Sequence, residues 1–141
     1  MKSIHRIARP AFALSAALAL ALLGGIAAAA DLKLSGDNEV PPVKTAASGN
    51  GAISVAADGA VAGSVKTTGV AGMAAHIHVG AAGKNGPVII PLTKGADGEW
   101  TVPPGAKLSE EQMKSFKAGE LYVNVHSEAN KGGEIRAQLA P

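Results

Sequence analysis

Three histidines carry the chemistry this chain could do. His76 and His78 stand two apart in Ala75-His76-Ile77-His78-Val79, and His126 closes Leu121-Tyr122-Val123-Asn124-Val125-His126. Imidazole nitrogen suits zinc and copper. Histidines at i and i+2 of an extended strand project from one side and can grip a single ion together. A third from a neighbouring strand would complete a three-nitrogen metal set of His76, His78 and His126. Glu134 or a water would then be the fourth ligand, or Glu134 would orient one of the rings from behind. The competing reading makes the same residues an inert polar sheet face, with histidines hydrogen-bonded to Asn124 and Glu134.

Both segments alternate strictly, aliphatic residues on one face and polar residues on the other. The same parity runs through Gly133–Leu139. Ile135, Ala137 and Leu139 point to the core, and Glu134, Arg136 and Gln138 point away. A hairpin over the loop Glu128–Gly132 predicts Asn124 opposite Arg136 and His126 opposite Glu134. If the strand bearing His76 and His78 is a neighbour, the outer surface collects all three histidines with Tyr122, Asn124, Glu134 and Arg136. Arg136, near Glu134 and Glu128, reads as a structural ion pair. Met73, just before His76, is a soft copper ligand or else a core or turn residue. Trp100 reads as a packing residue of the core or its rim.

The remaining elements are short β-type runs between turns. Asp31–Ser35 is a first strand, and Val40-Pro41-Pro42-Val43 is a rigid extended piece better placed at an edge. Gly51–Ala57 and Ala60–Thr67 flank Asp58-Gly59, a strong hairpin signal. Ala74–Val79 follows, then a loop Gly80–Gly86, then strands Pro87–Leu92 and Glu99–Val102. Gly80, Gly83 and Gly86 precede a strand with no Lys-Ser/Thr after them, so they serve turn geometry rather than phosphate binding. Ser109 and Gln112 form a capping box for a single helix of about three turns that stops at Gly119. Together these predict an all-β fold, an immunoglobulin-like or Greek-key antiparallel β-sandwich with one short helix near the C-terminal third.

Residues 1–30 read as an export signal. Lys2, Arg6 and Arg9 precede an apolar run from Ala11 to Leu23, and Ala28-Ala29-Ala30 supply the small residues a signal peptidase needs. Residues 31–141 then form one domain, periplasmic or secreted, off the membrane once the signal is cleaved. The 13 basic residues of the whole chain outnumber the 11 acidic ones, but three basic residues leave with the signal and every acid stays. The mature domain is therefore near neutral and lacks the basic face that nucleic-acid binding needs. The chain has no cysteine, so stability comes from packing, or from packing and a bound metal. No serine sits in a nucleophile elbow, and the carboxylates form no acid–base pair.

Two longer motifs are similar to those of the chordin-type (CHRD) domain family. One runs His76-Ile-His78-Val-Gly-Ala-Ala-Gly-Lys-Asn-Gly-Pro-Val-Ile-Ile-Pro-Leu. The other runs Leu121-Tyr-Val-Asn-Val-His126 and on to Gly132-Gly-Glu134-Ile-Arg136-Ala-Gln-Leu139. The opening Leu34-Ser-Gly-Asp-Asn-Glu-Val-Pro-Pro-Val also fits, and Ala137 departs where glycine is commoner. The resemblance implies an exported immunoglobulin-like sandwich with no general enzymatic activity, His76, His78 and His126 being motif residues. His-Ile-His is also similar to the copper-binding strand of copper–zinc superoxide dismutases. The further histidines and the disulfide of those enzymes are missing, so dismutation is not expected. The expectation is a non-enzymatic binding module that holds copper or zinc for buffering or delivery. Its rival is a structural or protein-interaction domain whose partners are other exported proteins.

Overall fold

The computed structural model describes residues 29–141. The expected export signal lies outside them except for its last two residues, and Ala30 is the first residue of the first strand. Nine strands follow in chain order: β1 (Ala30–Ser35), β2 (Ser48–Val55), β3 (Val61–Thr68), β4 (Gly72–Val79), β5 (Val88–Pro91), β6 (Thr93–Lys94), β7 (Glu99–Thr101), β8 (Leu121–Ser127) and β9 (Ile135–Leu139). One helix, α1 (Glu110–Lys117), separates β7 from β8. All strand pairs are antiparallel, in the order β5-β4-β8-β9-β1-β2-β3-β7-β6. The predicted all-β antiparallel class with one short helix is what the structure shows.

The sheet bends round until its ends nearly meet. Leu92 N–H donates to the Ala75 carbonyl at 2.9 Å and Lys94 Nζ to the Gly72 carbonyl at 2.7 Å. Trp100 lies so close to Gly72 that a Cβ there would stand 2.9 Å from its ring. The indole is 2 % exposed and plugs the core, as expected of the only large aromatic in β7.

Alternation builds that core. Leu32 and Leu34, Ile53, Val65, Ala75 and Ile77, Leu121, Val123 and Val125, and Ile135, Ala137 and Leu139 all point inward and are buried. The Asp58-Gly59 hairpin is present: Gly59 takes a positive φ of 89°, and Asp58 Oδ1 accepts from Ala60 N–H. The capping box is present as well, Gln112 N–H donating to Ser109 Oγ and Ser109 N–H to Gln112 Oε1. The helix is shorter than its spacing suggested, eight residues before Gly119 turns the chain at φ 74°. Among the described residues no helix is long and apolar enough to cross a membrane.

Val40-Pro41-Pro42-Val43 forms no strand. The segment from Gly36 to Thr45 folds back instead, with Val43 N–H bonded to the Gly36 carbonyl and the Val40 carbonyl held by Asn85 Nδ2. Together with the loop after β4 it covers the polar face of β4, β8 and β9. That cover corrects the expectation of an open outer surface. His78, Tyr122, Asn124 and Arg136 are all buried, and His76 and His126 are half-buried at the rim. The alternation put these residues on the right face. It carried no information about the non-repeating segments that lie over it.

Candidate metal centre

Register brings the histidines together. In β4 and β8 His76 faces Asn124, His78 faces Tyr122 and Ala74 faces His126. The ring centroids stand 4.8 Å apart for His76 and His126, 5.6 Å for His76 and His78, and 5.9 Å for His78 and His126. One nitrogen from each ring lies within 4.8 Å of the other two. Ligand nitrogens about 2.0–2.1 Å from a tetrahedral ion stand about 3.4 Å apart, so side-chain rotations worth about 1 Å close the set.

Backbone carbonyls aim the rings. His78 Nδ1 lies 2.9 Å from the Gly86 oxygen, and His126 Nδ1 lies 2.9 Å from the Lys131 oxygen. A carbonyl only accepts, so both Nδ1 atoms carry the hydrogen and the lone pairs lie on the two Nε2 atoms. His78 Nε2 is buried with no hydrogen-bond partner. His126 Nε2 accepts from His76 Nδ1 at 3.0 Å. A shift of the His76 hydrogen to its other nitrogen would free a third lone pair. Carbonyl-held histidines of this kind are the usual outer support of a metal ligand.

The Gly86 carbonyl is itself fixed. Gly86 N–H donates to the Tyr122 hydroxyl at 3.1 Å, and a Cβ on Gly86 would collide with the Val79 carbonyl. Tyr122 stacks under His78 with centroids 4.7 Å apart and planes 4° from parallel. From the β9 side the Arg136 guanidinium sits 3.3 Å over the same ring.

Two expected partnerships differ. Arg136 makes no ion pair with Glu134 or Glu128. It donates to Asn85 Oδ1, to the Ala81 carbonyl and to the Lys84 carbonyl, tying the loop after β4 down over the face. Glu128 pairs with Lys131 at 3.3 Å on the surface. Glu134 is turned away from the histidines: its carboxylate accepts from Thr45 Oγ1 at 2.7 Å and from Ser127 Oγ. The cause is local. Val125 pairs with Ile135 and also accepts from Glu134 N–H, so two residues answer one and alternation breaks there. The Ser127 hydroxyl, with Thr45, holds the Glu134 carboxyl below the ordinary carboxylate range.

Glu39 was not legible as part of this layer. It is 4 % exposed, with Oε1 lacking a partner, beside Asn124 and Arg136. Burial pushes its carboxyl up, and Asn124 and Arg136 pull it partly back. Gly133, at φ 126°, leaves room here that no side chain could share: a Cβ would stand 2.4 Å from Asn124 Nδ2 and 2.4 Å from Glu39 Oε1.

Burial lowers the pKa of His76, and the charges of His126 and His78 lower it further. Burial likewise lowers that of His78, against the opposing bond to the Gly86 carbonyl. The unfolded chain takes up these protons near pH 6.5, whereas the folded metal-free protein resists them to lower pH. Stability is therefore complete above about pH 6.5 and falls as pH drops from there through the lowered folded values. Urea midpoints at pH 7.5 and 5.5 are expected to show this decline, and His76→Gln is expected to flatten it. A midpoint independent of pH over that range would contradict the placement of the rings.

An all-β domain holding a half-covered cluster of three histidines is, as a class, a binding or structural module. The chain belongs to the CHRD domain family, whose model matches residues 31–139. No curated protein and no solved structure matches the chain.

Proposed function

We propose that this CHRD domain is an exported, non-enzymatic module that binds copper or zinc through His76, His78 and His126, for buffering or delivery in the periplasm or outside the cell. The observation that carries the reading is the convergence of one nitrogen from each ring within 4.8 Å, with His78 Nε2 buried and unpartnered. An orphaned buried acceptor costs about 1–3 kcal/mol, and a bound ion would remove that cost. Glu134 supports the Ser127–Thr45 corner rather than the ion, which leaves a fourth position open to water or another donor. Export rests on the basic start, apolar run and small residues before Asp31.

Metal is expected to stabilise the fold by mass action, by about 2.7 kcal/mol at a free concentration one hundred times Kd. For a domain of this size that raises Tm by roughly 10 °C. Thermal unfolding with and without one equivalent of Cu or Zn in a non-chelating buffer tests it. The absence of any shift, with no heat in calorimetry, would leave the structural or protein-interaction reading. That reading is favoured by one observation, the exposed Met73 and Val88 beside the cluster, and it predicts copurifying exported proteins.

A further inference from the structure

We propose that the thioether of Met73 is a fourth donor of this cluster and makes it a site for cuprous copper. The inference rests on the metal-site reading above. Along β4, Ala75 and Ile77 point inward and are 1 % exposed, and Met73 shares their parity. Met73 is nonetheless 61 % exposed. Gly72 faces Ser127 and Ala74 faces His126, so Met73 is an extra residue in β4, and the bulge turns it out of the core. Burying such a side chain would contribute about 1.5–3 kcal/mol, which the fold forgoes at this position.

The bulge places Met73 on the rim beside two of the histidines, His76 and His126. It lines an open depression of about 450 Å³ together with His76, His126, Ala74 and Val88. Val88, 48 % exposed, gives that depression an apolar wall suited to a soft ion of low charge. The chain has no cysteine, and Met113 is packed against the core from α1, so Met73 is the sulfur available among the described residues. Its three rotatable bonds let the sulfur swing over the rim. Imidazole with thioether holds Cu(I), whereas zinc takes nitrogen, oxygen and thiolate. The ion binds and leaves as Cu(I), with no change of oxidation state.

Anaerobic competition against a chromogenic Cu(I) chelator, with Zn(II) competition in parallel, tests the assignment on the purified protein and on Met73→Leu. Met73→Leu is expected to weaken Cu(I) binding at least ~10-fold and to leave zinc within about two-fold. X-ray absorption of the Cu(I)-loaded protein is expected to show a sulfur neighbour that Met73→Leu lacks. Equal Cu(I) affinity in the two proteins, with zinc still bound, overturns the role of Met73 and spares the histidine site. Equal weakening toward both metals assigns Met73 a structural part and also overturns it. A wild-type protein that binds neither ion overturns the histidine reading first and this one with it.

Discussion

His78→Ala is expected to lose stoichiometric copper and zinc binding, with affinity down at least ~100-fold, or about 2.7 kcal/mol. His78 is the buried member of the set, and its Nε2 has no other partner. Its Nδ1 is committed to the Gly86 carbonyl and its ring to Tyr122, so the lone pair is aimed before any ion arrives. The same contacts mean that the substitution also costs fold stability, about 1–3 kcal/mol, since the Gly86 carbonyl keeps only the 3.4 Å bond from the Tyr122 hydroxyl and the ring stacked on Tyr122 is lost. His126→Ala separates the two effects. Its ring lies at the half-buried rim, so it should lose metal while unfolding nearly as the wild type does. Glu134→Gln should keep affinity within about two-fold, because its carboxylate is engaged at Ser127 and Thr45. Calorimetric titration decides. Undiminished heats for His78→Ala would end the metal assignment.

Arg136→Ala is expected to destabilise the domain by about 3–5 kcal/mol, the range for removing one member of a buried charged network. The guanidinium is 1 % exposed and does three jobs in one place. It holds two loop carbonyls and Asn85, it covers Tyr122, and it supplies the positive charge that favours ionised Glu39. Arg136→Lys should recover little of the loss. A point charge on a flexible stem cannot reach all three acceptors and lie flat on an aromatic ring at once. Urea unfolding at pH 7.5 measures both variants. A loss under about 1 kcal/mol for Arg136→Ala would show that the loop after β4 is held by other contacts.

The strands were readable because their side chains repeat every two residues. That repeat, with a hairpin loop over Glu128–Gly132, sets Asn124 opposite Arg136, and with β4 beside β8 it puts the three histidines on one face, as found. Three features escaped it, each for a physical reason. The cover over the face comes from Gly36–Thr45 and the loop after β4, whose positions depend on contacts between segments far apart in the chain. Glu134 and Met73 both sit at bulges, where one extra residue reverses the face a side chain takes. Carboxylates near Arg136 in sequence point to an ion pair that the fold does not make. Two of the three actual acceptors of Arg136 are backbone carbonyls, which are present at every residue and leave no mark in composition. Glu39 belongs to the first group, a polar residue in a segment without period that folding carries inward.

The neighbouring placement of β1 and β9 sets the direction in which the cluster faces. Ser35 faces Arg136 and the two strands run antiparallel, so β1 begins beside the point where β9 finishes. That point is level with Leu121, since Leu139 pairs with it, while His126 lies five residues further along β8, about 17 Å away. The start of β1 and the end of β9 thus share one corner, at the opposite end of the barrel-like body from Met73 and His126.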